Sequence, residues 1–441
     1  MDSDGALRER PAELLQRLIR FDTTNPPGNE QACIEWIAGL LRMAGVEPRI
    51  LAKDPERPNL VARLQGTGTA PAFLMQGHID VVPAEGTWTH EPFSGEIADG
   101  YVWGRGALDM KSGVAMMIAA FLRAASENVR PAGDVVLCVL SDEEARGNLG
   151  ARFLVEEHPE LFDGVRFAIG EFGGFSLDVA GRRFYPMMVS EKQLCVARAT
   201  FRGPAGHGAL PVRGGAMGAL GCFLDALGRR RLPVHVTQVT RSMIEAVVAE
   251  VPTPVALPLR GLLRPRTADR VLDLLGDRGR IFDPVLHNTA SATIVRGGQS
   301  ANVIPGEVSV DLDCRLLPGF EPEHVFRELR DLAKVDMELE LLRFDPGPSD
   351  VDMTLFPTLG AILRELDPAA RPMPLLLPAV SDARYFARLG VQTYGFLPMQ
   401  LPPEMRFMEL VHAEDERIPV ESMEFGTAAI RRLLERFGSA A

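Results

Sequence analysis

The sequence predicts an α/β protein whose core domain is interrupted by an inserted α+β domain. Three observations predict it. The run DVVLCVL (Asp134–Leu140) is apolar without alternation, the pattern of a strand covered on both faces, as in a sheet sandwiched by helices. Cys195–Phe201 and Glu307–Leu316 instead alternate strictly, with Val308, Val310, Leu312, Cys314 and Leu316 on one face and Ser309, Asp311, Asp313 and Arg315 on the other. Half-buried strands of that kind mark an antiparallel sheet with one solvated face. Beyond the Pro/Gly-rich linker FDPGPSD (Phe344–Asp350), helical and parallel-strand patterning returns.

Taken in order, helical periodicity over 12–20 and 31–44 is separated by DTTNPPGNE (Asp22–Glu30), a loop rich in Pro, Gly and capping residues. Strands follow at Asn59–Leu64 and Ala72–Met75, then a helix at 114–126, the apolar strand to Leu140, and a strand at Phe167–Ile169. The insert holds the two alternating strands, helices at 216–228, 268–276 and 322–333, a Pro-rich stretch at 251–265 and a strand at 336–344. The core resumes with helices at 355–366 and 420–437 and a strand at Val391–Phe396. The predicted division is therefore a core of residues 1–186 and 349–441 with an insert of residues 187–348. At 441 residues the chain exceeds what one hydrophobic core usually holds, which agrees with two domains.

Composition excludes several classes. Lys and Arg total 47 against 59 Asp and Glu, a net charge of −12, which argues against a partner bound through nucleic-acid phosphates. Without an apolar run approaching the ~18–20 residues of a bilayer span, no membrane partner is expected. The polar start MDSDGALRERPAELL lacks the basic-then-apolar layout of a secretory signal. The five cysteines show no CxxC spacing, and Cys138 and Cys314 fall inside strand patterns. A reduced, cytoplasmic chain without disulfides is the expectation.

The chemistry centres on Asp109, a carboxylate in the glycine-flanked GRGALDMKSG (Gly104–Gly113). Around it in the sequence stand QGHIDVVP (Gln76–Pro83), SDEE (Ser141–Glu144), IGE (Ile169–Glu171) and VHAEDE (Val411–Glu416). Each ends a predicted strand or lies in a connection, where open α/β sheets place their sites, and each offers an imidazole or a carboxylate. Divalent zinc accepts both donor types, and cobalt or manganese also suits them. Two ions bridged by Asp109 would use His78 and His412 as imidazole ligands, with Glu144 and Glu171 completing one shell each. Glu143, beside a ligand without being needed as one, is placed to act as a base. Asp80 lies two residues beyond His78 on an extended segment, positioned to accept the second ring N–H and fix the tautomer. His90, His158, His235, His287 and His324 carry no such context.

The set QGHIDVVP, GRGALDMKSG, SDEE, IGE and a late HxxxE (His412 to Glu416) closely resembles the M20 metallopeptidase family, whose members include aminoacylase-1, carboxypeptidase S and succinyl-diaminopimelate desuccinylase. The resemblance spans nearly the whole chain. It implies a phosphorylase/hydrolase-like, three-layer α/β core with an inserted lid or dimerisation domain, and a possible homodimer. It also implies two divalent ions held by His78, Asp109, Glu144, Glu171 and His412, with Asp109 bridging and followed by a cis peptide to Met110. Glu143 would take a proton from the attacking water and deliver it to the leaving amine.

In the insert, GPAGHGALP (Gly203–Pro211) resembles the family segment whose histidine, here His207, stabilises the oxyanion in a partner subunit's site. NVIPGE and DLDCRLLPG resemble segments in which Asn302 and Arg315 hold a substrate carboxylate, a task that suits the arginine fork. The residues alone leave other readings open: a pair of Arg315 with Asp311 or Asp313, and a turn role for His207. SDARYF and YGFLP match further segments near the site, read only as pocket lining. Two departures stand out. Phe172 follows Glu171 where many members have proline, and the stretch between His207 and Asn302 is long, closer to the aminoacylase and carboxypeptidase S branch. The implied reaction is hydrolysis of an amide in an N-acyl amino acid or short peptide with a free carboxylate. Deacylase and dipeptidase or carboxypeptidase action both remain open, with a non-amide two-metal hydrolase as the more distant alternative.

Overall fold

The computed structural model describes residues 6–127, 130–211 and 213–438. Its contacts divide the chain into two units, Met1–Val189 with Val351–Leu375 and Ser381–Ala441, and Ser190–Asp350 with Leu376–Val380. The second unit nearly coincides with the predicted insert. The short Leu376–Val380 return has no compositional mark; it joins the second unit through contacts such as the Lys192 N–H donating to the Leu377 carbonyl at 2.9 Å.

The first unit is built on a six-stranded sheet in the order Arg49–Leu51, Asn59–Leu64, Val135–Leu140, Ala72–His78, Val165–Gly170 and Gln392–Gly395. The last four run parallel to one another. Val135–Leu140 is buried along its whole length, which is why its sequence shows no alternation. Helix Lys111–Ser126, almost entirely buried, starts directly after Asp109 and packs against helix Val420–Arg436. Parallel strands end in the same direction. His78 therefore closes the central strand, Leu140 hands over to Ser141–Glu144 on one side, and Gly170 hands over to Glu171 on the other. Three segments bearing candidate ligands leave the carboxyl end of one sheet on adjacent strands.

The second unit carries a four-stranded antiparallel sheet in the order Thr289–Gly297, Glu307–Leu316, Gln193–Arg202 and Glu338–Asp345. The predicted inward face is its core: Val308, Val310, Leu312, Cys314 and Leu316 join Cys195, Phe201, Phe223, Val325 and Leu329 in one buried cluster. Several short strands escape the sequence reading, and so do three longer ones. Arg371–Leu377 contains Pro372 and Pro374 and sits at the edge of a three-stranded sheet, where a missing N–H is tolerated. Thr289–Gly297 is exposed on both faces over most of its length, so nothing imposes alternation. Arg182–Glu191 is buried on both faces from Phe184 onward, and its apolar run is interrupted by Pro186. The Pro-rich 251–265 stretch is helical over Thr253–Leu262, with Pro258 inside the helix; Pro254 and Pro265 each stand in a first helical turn, where proline costs no hydrogen bond. Among the described residues no helix is long and apolar enough to cross a membrane.

Candidate metal centre

The sequence-distant residues His78, Asp109, Glu143, Glu144, Glu171 and His412 converge in the first unit. His78 Nε2 lies 3.3 Å from Asp109 Oδ1 and 3.6 Å from Glu171 Oε2. His412 Nε2 lies 3.2 Å from Asp109 Oδ2 and 3.1 Å from Glu144 Oε1. The two oxygens of Asp109 thus face two different imidazoles, each backed by its own glutamate. Two sets, His78 with Asp109 and Glu144, and His78 with Glu143 and Glu171, bring their donor atoms within 4.8 Å of one another. The Asp109–Met110 peptide is cis, as the resemblance implied.

The electrostatics are those of a cation site. Burial pushes the carboxyl groups of Glu143, Glu144 and Glu171 above their usual range, and the neighbouring Glu171 charge adds to the shift at Glu143. Hydrogen bonds to Asp109 and then to Glu144 raise His412 to about 10. At His78, burial opposes the charged form, but bonds to Asp109, Asp80 and Glu171 hold the imidazole well above its ordinary value. For Asp109 the same imidazoles outweigh burial and lower it. Mixed nitrogen and oxygen donors, acid-rich and packed this closely, fit two divalent cations.

Asp80 does more than its predicted task. His78 Nδ1 is 3.0 Å from the Asp80 carbonyl and 3.4 Å from its Oδ1. A carbonyl only accepts, so Nδ1 donates to it, which leaves Nε2 as the atom to coordinate a cation once it gives up its own proton. The carboxylate is engaged elsewhere. Its Oδ1 accepts the Glu143 N–H and its Oδ2 the Glu144 N–H, both at 3.1 Å, and Asn25 Nδ2 donates to Oδ2 at 2.9 Å. Asp80 therefore fixes the turn that carries both glutamates. That turn is held from below as well, by Arg57, which donates to Glu30 at 2.5 Å and lies 3.5 Å from Asp142.

Supporting residues with no assigned role in the sequence reading include Asn25, Arg57, Arg105 and Glu416. Asn25 stands in the Pro/Gly-rich loop, and only its tertiary partners reveal it. Glu416 and Arg105 each sit inside a quoted motif, which is the one signal that could have marked them. Asp382 of SDARYF is also buried, with neither carboxylate oxygen hydrogen-bonded among the described residues, and burial pushes it up to about 7. Phe172, the departure noted after Glu171, adopts φ 67°, a left-handed conformation closed to proline. The cleft beside His412 has a volume of about 850 Å³ and is lined by Pro83, Glu85, Arg105, Leu410 and Glu414 among others.

The remaining predicted residues lie in the second unit. His207 is exposed on a two-residue strand paired with Val303–Ile304, and its Nδ1 accepts the Ala209 N–H at 3.1 Å. The neighbouring Asn302 is exposed too, its carbonyl accepting the Gly208 N–H at 2.7 Å and its Oδ1 the Ser300 hydroxyl at 2.6 Å. Arg315 holds Asp313 with both ends of its fork, at 2.7 and 3.0 Å.

Comparison with known proteins shows which family the chain belongs to. A family model described as Peptidase family M20/M25/M40 matches residues 74–436. The chain is 28% identical over 444 residues to a succinyl-diaminopimelate desuccinylase of Paracoccus denitrificans, covering 97% of this chain and 98% of that protein. It is 27% identical to a probable carboxypeptidase S-like 2 of Dictyostelium discoideum, covering 79% of this chain and 68% of that one. The structure of an M20 family metallo-carboxypeptidase from Sulfolobus solfataricus superposes with a TM-score of 0.70 at 16% identity, over 100% of both chains. With the family model spanning most of the sequence and the fold matched end to end, the chain belongs to the M20/M25/M40 peptidase family of amide-bond hydrolases.

Proposed function

We propose that the protein hydrolyses the amide bond of an N-acyl amino acid or short peptide bearing a free carboxylate, using a pair of divalent ions. The observation that carries the reading is Asp109, whose two oxygens face His78 and His412 separately, at 3.3 and 3.2 Å. His78, Asp109 and Glu171 would hold one ion, and His412, Asp109 and Glu144 the other, zinc being the first choice for such donors and cobalt or manganese also suited. When bound, the ions supply Lewis acidity and make water a nucleophile at neutral pH. The chain's own groups do the rest. Glu143, raised by burial and by Glu171, has the affinity to accept the proton of the attacking water and pass it to the leaving nitrogen. Asp80 orients it through the backbone.

His207 serves as the oxyanion donor and Asn302 and Arg315 as carboxylate contacts in this reading. Arg315 would exchange the Asp313 carboxylate for that of the substrate, a like-for-like swap of fork partners. Self-association through the second unit is supported by the edge strand Thr289–Gly297, with Ile294 49% and Val295 57% exposed. A cytoplasmic setting, with no nucleic-acid or membrane partner, completes the proposal.

The test is release of free amino acid from a panel of N-acyl amino acids and dipeptides after addition of zinc, cobalt or manganese. Glu143→Ala should bind the ions and stay folded while losing nearly all turnover. An active Glu143→Ala variant would remove the base assignment, and the panel separates deacylase from dipeptidase or carboxypeptidase action.

A further inference from the structure

We infer that Glu416 and Arg105 form a positioning pair that sets the geometry of Asp109 and His412, and thereby the affinity of the centre for its cations. Glu416 is fully buried, and its two oxygens receive four donors. Oε1 accepts the N–H of Leu108 at 2.6 Å and of Asp109 at 3.1 Å. Oε2 accepts the N–H of Gly106 at 3.1 Å and Arg105 Nη1 at 2.7 Å. Three backbone amides of the loop presenting Asp109 are thus folded around one carboxylate, a concave nest of N–H groups closed on an internal anion. The carboxylate is delivered there by the strand Arg417–Pro419, which pairs antiparallel with Tyr101–Trp103 and brings the Glu416 carbonyl to the Gly104 N–H at 2.9 Å.

Arg105 extends the clamp to two more segments of the site. Its Nη2 donates to the carbonyl of Pro83 at 3.3 Å, downstream of His78, and to the carbonyl of His412 at 3.2 Å. His412 itself has φ 64°, a conformation uncommon outside glycine, and Arg105 donates to its carbonyl. A single buried pair therefore fixes the backbone at the bridging carboxylate and at one imidazole, and ties both to the segment that carries the other. Buried pairs add little net stability against well-packed apolar residues, because desolvation offsets their attraction. What this pair supplies is orientation: each of its groups ends on a loop that carries a ligand.

The inference rests on the two-ion reading of the centre, and the experiment separates the two. Zinc affinity would be measured by chelator competition on the full chain for the wild type, Asp109→Asn, Glu416→Gln and Arg105→Lys, with circular dichroism and unfolding midpoints recorded for each. Gln keeps the size of Glu416 but turns an N–H₂ group toward the Gly106 amide or the Leu108 amide. Lys keeps the charge of Arg105 but loses the fork that reaches Pro83 and His412. The expected result is a folded variant whose zinc affinity falls about 10- to 100-fold, the range for groups that orient metal ligands. A pair that only held the fold would lower the unfolding midpoint and leave zinc affinity unchanged, and that outcome overturns the inference. If Glu416→Gln does not fold, Arg105→Lys decides alone on the same measurement. A wild type that takes up no zinc, cobalt or manganese overturns the two-ion reading, and the inference falls with it. Two ions bound equally by wild type and both variants overturns the inference only.

Discussion

Asp80→Asn is the substitution on which the account of the centre is most exposed. Asp80 is fully buried, and its carboxylate accepts the N–H groups of Glu143 and Glu144 at 3.1 Å each and Asn25 Nδ2 at 2.9 Å. Asparagine preserves volume and one acceptor oxygen, so either Glu143 or Glu144 must face an N–H₂ group instead. Hydrogen bonds to a charged acceptor contribute about 1.5–3 kcal/mol each, and a buried donor left unmet costs about 1–3 kcal/mol. One bond lost and one donor stranded amounts to roughly 2.5–6 kcal/mol in the turn that carries the proposed base and a candidate ligand. Other bonds also hold the turn, among them Asp142 Oδ2 accepting the Leu149 N–H at 2.9 Å and Tyr385 donating to the Arg146 carbonyl at 2.6 Å, so it should relax rather than unfold the unit. Displacing a catalytic group by about 1 Å costs about 10²-fold in rate, and weakened ligand support about 10–100-fold in metal affinity. The assay is kcat at saturating zinc together with zinc affinity by chelator competition, on protein shown folded by circular dichroism. Wild-type kcat and affinity in a folded Asp80→Asn variant would refute the assignment of Asp80 as the anchor of the turn.

Further outcomes follow from the same geometry. Before cations bind, His412 is held at about 10 and His78 is raised above its ordinary value, both by the surrounding carboxylates, so binding must compete with protons. Metal affinity should therefore rise with pH through the neutral range, and calorimetry in buffers of different ionisation heat should show net proton release on binding at pH 7; none released would refute the ligand set. Lys192 is buried, donates to the His287 carbonyl and Thr289 Oγ1 at 2.9 and 3.0 Å, and is lowered from 10.5 to about 7 by burial and then by Arg315. Below pH 7 it is charged in both folded and unfolded chains and its burial cost is borne in full. Between pH 7 and 10.5 the unfolded chain binds the extra proton, so stability rises by about 1.4 kcal/mol per pH unit. Lys192→Met should flatten that part of the unfolding profile relative to wild type, and an unchanged slope would mean the lysine titrates normally. His207→Ala should lower kcat about 10²–10³-fold with zinc uptake unchanged if it donates to the oxyanion; an unaltered rate returns it to its turn.

By itself the sequence determined the fold class, because burial on one face or two leaves a direct trace in spacing. Asp134–Leu140 showed no alternation and lies buried on both sides, and Glu307–Leu316 alternated and faces the core with every second residue. The centre was legible for a related reason. Parallel strands ending at His78, Leu140 and Gly170 send their next residues to one edge of the sheet, so chemistry-bearing residues placed just after apolar runs were bound to meet. Where burial imposed no period the sequence was silent, as in the exposed Thr289–Gly297 and the proline-bearing Arg371–Leu377. Tertiary structure alone decided which polar residues hold the ligands in place. Asn25 meets Asp80 from 55 residues away and Glu416 meets Leu108 from 308 residues away. Hydrogen bonds are short-ranged and directional, so such partners depend on where the folded chain returns, and no local pattern encodes that. The same holds for Arg315, whose fork is filled by Asp313 two residues earlier rather than left open: the sequence offered both partners, and only the folded strand chose.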